Sequence, residues 1–109
     1  MNWLYLLSYF FGGVFFANAV PHFVSGVTGR SFQSPFAKPP GKGLSSSTVN
    51  VCWGLFNALV GYMLVFRVGS FNLRSTPDVA ASGLGVLLIS LQMARHFGRF
   101  HGGNLPERK

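Results

Sequence analysis

The chain has 109 residues, with nine Lys or Arg against two acidic residues and a formal net charge of +7. That length allows one compact domain and excludes a two-domain architecture. Only 10% of the residues are charged while 49% are hydrophobic, and a soluble domain usually carries about 25% charged residues, so most of the sequence does not encode a water-facing surface.

The apolar residues fall in three blocks with the cations at their ends. A nucleic-acid-binding protein spreads its cations along a groove or stripe. Nucleic acid is therefore not expected, and the lipid bilayer with its anionic headgroups is, since each basic residue near the membrane surface contributes about 1 kcal/mol.

The first block runs from Trp3 to about Val27. A hydrocarbon core needs about 20 residues of apolar helix, and this segment supplies them. Ser8, Gly12, Ala19, His22 and Gly26 share a stripe along it, and Asn18 lies one turn before His22, within reach of its ring. Pro21 removes a backbone donor and frees the carbonyl of Ala17, which predicts a kink or unwound backbone there. Ala17-Asn18-Ala19 also matches a signal-peptidase site, the alternative in which residues 1–19 are removed. The lack of a basic start and the apolar run through Phe23, Val24 and Val27 favour a span.

Residues 28–47 form a loop rich in Pro, Gly and Ser, with Phe32 and Phe36 inside it. Its prolines favour extended backbone and its glycines tight turns, while the two aromatics mark it as an ordered cap over the helix ends. Gly41-Lys42-Gly43 resembles a phosphate loop only superficially: Phe36 stands where the first glycine is needed and Gly43 follows the lysine. Lys42 and the serines do precede a helix N-terminus, where free N–H groups favour an anion such as a lipid phosphate.

The second span covers about 48–67, with capping hydroxyls in Ser45-Ser46-Ser47-Thr48. Asn50, Gly54, Asn57 and Gly61 recur at spacings of four, three and four, which keeps them on one face. Together with Gly12 they are expected to pack helices, the glycines by close approach and the asparagines by hydrogen bonds. Cys52 is the only cysteine and lies in an apolar run, so no intrachain disulfide forms. Gly69 marks a stop.

The third span covers about 77–100. Thr76-Pro77-Asp78 combines a capping hydroxyl, a proline and an acid, the signature of a helix start. Gln92, His96 and Arg99 share one face, with Arg95 beside His96, and Gly102-Gly103 supplies a stop.

Orientation follows from the basic residues flanking the spans. Arg67 and Arg74 lie between spans two and three. Arg30, Lys38, Lys42, Arg95, Arg99, Arg108 and Lys109 belong to the other side. Seven against two places the loop and the C-terminus in the cytoplasm and the N-terminus outside, in a multi-pass protein of the cell or inner membrane.

With that topology, His22 and the Arg95–His96 pair end at similar depth, near Asn50 at the start of span two. A ligand-binding cluster of Asn18, His22, Asn50, Gln92, Arg95 and His96 under the loop is the sharpest functional expectation. Against it stands the plain reading in which the arginines snorkel to headgroups and the histidines are satisfied interfacial residues. Asp78 and Glu107, the only carboxylates, fall outside the spans, which disfavours proton-coupled export and paired-carboxylate or triad hydrolysis. No catalytic residues and no metal site are expected, and an enzyme ranks last. A haem held by His22 and His96 is the one cofactor option; otherwise none is expected.

The chain thus reads as an all-α membrane protein, a single domain over 1–109, built as a three-helix bundle with a Pro/Gly-rich cytoplasmic loop. Two functions fit: binding or passing a small polar or anionic molecule at the cytoplasmic-side His/Arg/Asn cluster, as a transporter does, or serving as a structural or accessory subunit of a membrane assembly. Homo-oligomerisation is expected from the Gly/Asn stripes.

Overall fold

A computed structural model describes residues 2–103; Glu107, Arg108 and Lys109, used in the sequence reading, lie outside the described residues. Three long helices dominate. Helix α1 spans Trp3–Val27, α2 spans Ser47–Tyr62 and runs on through a π-helical turn at Met63–Arg67, and α3 spans Thr76–His101. At 1.5 Å per residue these reach about 32 to 39 Å, and all three are long and apolar enough to cross a membrane.

Local chemistry sets the boundaries. Asn2 caps α1, its side chain accepting from Leu4 N. Ser46 caps α2 by accepting from Val49 N at 3.2 Å. The cap of α3 is Ser75, which accepts from Asp78 N, so Thr76 is the first helical residue and not the cap. Pro77 and Asp78 occupy the first turn as the sequence implies, and Gly102 ends the helix in the left-handed region, with φ 78°. Helix α2 does not reach Gly69: its last turn widens to the π form, and Ser8 Oγ on α1 donates to the Leu64 carbonyl there at 2.6 Å. Pro21 does not unwind α1, which is helical without a break from Trp3 to Val27.

Helix α1 is the centre of the layer. It packs against α2 on one side and α3 on the other, while α2 and α3 scarcely touch, so the bundle is open. The adjacent Gly12 and Gly13 make this possible, because successive helix positions point about 100° apart. A Cβ at Gly12 would run into Val65 and Leu64 beyond α2, and one at Gly13 would strike the Ser82 backbone of α3. Gly54 and Gly61 on α2, and Gly85 on α3, meet the backbone or rings of α1 equally closely. Backbone approach of this kind maximises dispersion contact between helices.

Burial is inverted relative to a water-soluble domain. The buried polar residues are His22, Gln33, Ser34, Asn50 and Asn57, and the buried apolar ones are Tyr9, Val65 and three alanines. Leu55, Leu59, Leu84, Leu87, Leu88 and Leu91 are exposed. Contiguous apolar surface on this scale is rare on soluble monomers.

The loop is not wholly irregular. Strand β1 (Phe32–Gln33) pairs antiparallel with β2 (Leu44–Ser45), Phe32 opposite Ser45 and Gln33 opposite Leu44. This clip closes residues 34–43 into a compact lobe, tightened by Gly41 N and Ala37 N donating to Ser34 O. Gln33, Ser34 and Ala37 are buried beneath it.

Candidate functional site

Side chains of Asn50, His96 and His101 pin the lobe to the helix ends. Asn50, fully buried in the first turn of α2, directs its amide nitrogen at three carbonyls, those of Phe32 at 3.1 Å, Ser45 at 3.3 Å and Ser46 at 3.1 Å. His96 Nε2 lies 2.7 Å from Gly41 O, and His101 Nε2 lies 2.9 Å from Gln33 Oε1. Ser34 and Ser45 share a hydroxyl–hydroxyl bond of 2.6 Å across the strand pair. The bonds from Asn50, His96 and His101 use a polar side chain from a helix to satisfy backbone or amide groups of the loop.

The same bonds fix the protonation pattern. Because the amide nitrogen of Asn50 faces only carbonyls, its Oδ1 is the atom 2.8 Å from His22 Nδ1. An amide oxygen only accepts, so His22 Nδ1 carries the proton, and in the neutral ring Nε2 keeps a lone pair. By the same argument, His96 donates from Nε2 to the Gly41 carbonyl. The His22 ring is 3% exposed and is held edge-to-face by Phe32, Trp53 and Phe97 at centroid distances of 5.5, 6.4 and 6.0 Å.

Beneath the lobe lies a cavity of about 220 Å³, lined by Asn18 and His22 from α1, Trp53 from α2, His96 and Phe97 from α3, and Gln33, Ser34, Pro35 and Gly41 from the loop. No charged side chain lines it. Four groups on its lining residues have no protein partner among the described residues: His22 Nε2, Asn18 Oδ1, the amide nitrogen of Gln33, and the indole N–H of Trp53, which is buried.

The expected cluster assembles in part. Asn18, His22 and His96 line one cavity, and Asn50 stands behind His22 as its hydrogen-bond partner. Asn18 does not bond His22; its amide nitrogen donates to Asn57 Oδ1 at 2.9 Å, and Asn57 in turn donates to the Trp53 carbonyl at 2.8 Å. Gln92 and Arg95 are exposed and are not part of the lining, because α3 meets α1 through Ser82, Gly85 and Phe97, which turns their side of the helix outward. Of the packing stripe, Asn50, Gly54, Asn57 and Gly61 are the buried residues of α2, and Gly12 is buried opposite them on α1.

Trp53, Gln33, Phe97 and His101 are the functional candidates that pattern reading missed. Trp53 had a usable signal, lying three residues after Asn50 and four before Asn57 on the same face. No group of three His, Cys, Asp or Glu able to hold a metal ion occurs among the described residues. Comparison with family models, with curated proteins and with solved structures returned no match.

Proposed function

We propose that this protein crosses a lipid bilayer three times and binds a small, uncharged polar molecule in the cavity beneath its loop. The observation that carries the reading is the Asn50–His22 bond. It costs the ring its freedom of tautomer and leaves an acceptor, Nε2, at a cavity otherwise walled by aromatics and amides. His22 is the buried one of the described histidines, and its Nε2 has no protein partner among the described residues. The absence of a cation from the lining favours an uncharged ligand over an anionic one. Binding is favoured over conduction because three helices in an open layer enclose no path of their own. The loop and the end of α3 carry the larger share of basic residues, which supports a cytoplasmic position for the cavity.

The test is a titration of the ¹⁵N-histidine-labelled protein in lipid nanodiscs with urea, glycerol and propionamide, against acetate and ammonium. A saturable displacement of the His22 Nε2 resonance by one of the uncharged solutes is expected. Linear drift with all of them, or saturation by acetate alone, overturns the reading.

A second reading, an accessory subunit of a membrane assembly, is favoured by α3. Its Leu84, Leu87, Leu88 and Leu91 are exposed and a Cβ at Gly83 would meet nothing within 4 Å, so a further helix has room to seat there. Cross-linking in native membranes distinguishes the two, since an accessory subunit yields a defined partner adduct through α3 and retains its role with His22 replaced by Phe.

A further inference from the structure

A second recess lies outside the capped cavity. Between α1 and α3 runs an open groove of about 600 Å³, walled by Ala17, Val20 and Val24 on one side and by Met93, Ala94 and Phe97 on the other. Val20, Val24 and Ala94 are exposed in it. Its α3 wall extends from Val86 to His101, about 22 Å of helix, and its α1 wall from Ala17 to Ser25, about 12 Å. One leaflet of a bilayer's hydrocarbon core is about 15 Å deep, so the groove matches a single acyl chain lying along the helices. Its loop-side end is different in character. Ser25 and Phe32 both line the groove there, and between them the Arg30 N–H donates to the Ser25 carbonyl at 2.9 Å. That bond fixes Arg30 at the mouth with an exposed side chain, whose long stem carries the guanidinium to headgroup level. The one carboxylate among the described residues, Asp78, lies in the first turn of α3, about 35 Å of helix away from His101. No negative side chain among the described residues therefore neutralises this end.

We infer that the α1–α3 groove is a binding site for an anionic phospholipid, one acyl chain lying between Val20, Val24 and Met93 and the phosphate received by Arg30. This rests on the reading that the chain crosses a bilayer and is independent of what fills the capped cavity. A second protein helix would cover the apolar walls but leave Arg30 without an anion. A zwitterionic lipid brings a phosphate already paired with its own ammonium. An anionic headgroup on an acyl chain answers both ends of the groove, and guanidinium and phosphate form charge-assisted, often bidentate, hydrogen bonds.

The experiment uses the full chain in neutral maltoside micelles with ¹³C-methyl methionine. Met93 lines the groove, and Met63, in the π-helical turn outside it, is the control. Phosphatidylglycerol and phosphatidylcholine with the same acyl chains are titrated in parallel, beside glycerol phosphate, which has no chains. Phosphatidylglycerol is expected to saturate the Met93 shift at a concentration about fivefold below phosphatidylcholine, the scale of one basic residue acting on an anionic headgroup. Met63 should stay still, and glycerol phosphate should leave Met93 unmoved. Arg30→Gln should abolish the preference without changing phosphatidylcholine binding, while Arg30→Lys should retain it. Equal saturation by the two lipids, saturation by neither, or a preference that survives Arg30→Gln overturns the inference. A Met93 shift that follows protein concentration and ignores lipid puts a second copy in the groove and also overturns it. The wild-type arms need no substitution, so a poorly folding variant does not blunt the result. Folded, monodisperse protein in buffer without detergent, measured before any lipid is added, would instead remove the bilayer-crossing reading itself.

Discussion

Asn50 and His22 form a single unit: the amide oxygen accepts a hydrogen bond from His22 Nδ1 at 2.8 Å while the amide nitrogen donates to carbonyls of the loop and the α2 N-terminus. The loop lobe, the first turn of α2 and the ring of α1 therefore share one side chain that is fully buried. Removing it unpairs groups on three segments at once.

Asn50→Leu is accordingly expected to cost more than His22→Phe, although both delete the same side-chain pair. The leucine leaves an imidazole N–H and up to two carbonyls, those of Phe32 and Ser45, without partners, while Ser46 O keeps its bond from the backbone N–H of residue 50, and each unsatisfied buried group costs about 1–3 kcal/mol. Phenylalanine at 22 leaves only Asn50 Oδ1 unpaired and preserves the aromatic contacts with Phe32 and Phe97. Unfolding in mixed micelles should rank wild type above His22→Phe and His22→Phe above Asn50→Leu, and the reverse order would sink the account.

Glycines on α3 predict opposite signs two positions apart. A Cβ at Gly85 would clash with the Phe10 carbonyl and approach Val14 N at 3.2 Å, whereas one at Gly83 meets nothing. Gly85→Ala should therefore push α3 off α1 and destabilise, while Gly83→Ala gains helix propensity of up to about 1 kcal/mol. A cysteine pair bridging α1 and α3 should cross-link less readily with Gly85→Ala and normally with Gly83→Ala.

The sequence made the helices legible because long apolar blocks admit few alternatives, and it made α2 legible in detail. Asn50, Gly54, Asn57 and Gly61 stand out against an apolar background at helical spacing, and all four are buried. The α3 cluster was less legible. Spacing places Gln92 and His96 on one side of a helix but does not say which way that side turns, and the close approach at Gly85 rotates Gln92 outward while leaving His96 at the edge, bonded to Gly41. The bonds from His96 and His101 to the loop span 55 and 68 residues, and no local pattern encodes a partner at that distance. Trp53 was hidden for another reason: an indole in an apolar helix suits packing, a membrane interface or a ligand equally well.

Orientation is open to a direct check. In a Cys52→Ser background, Lys42→Cys in the loop and Ser70→Cys between α2 and α3 carry the only thiols, both at exposed positions. A membrane-impermeant maleimide added to intact cells should label Ser70→Cys alone, and Lys42→Cys only after permeabilisation. Labelling of Lys42→Cys in intact cells would reverse the topology, and labelling of both would remove the bilayer between them.

The lobe should behave as a cap held by side chains from α3, which amide exchange can measure. Gly41 N donates to Ser34 O at 2.8 Å and Gly43 N to Pro39 O at 2.8 Å, and both bonds lie in the segment that His96 fastens through Gly41 O. His96→Ala removes that fastening, about 1 kcal/mol for one hydrogen bond, so exchange at these two amides should accelerate about fivefold. The Asn50 amide, bonded to Ser46 O in the first turn of α2, should be unaffected, because the Asn50 side chain still clips both strands. If all three amides accelerate together, the lobe and the α2 N-terminus open as one body and His96 is only part of a common latch. If none does, the strand pair Phe32–Gln33 with Leu44–Ser45 holds the lobe unaided, and the cavity beneath keeps its roof without help from α3.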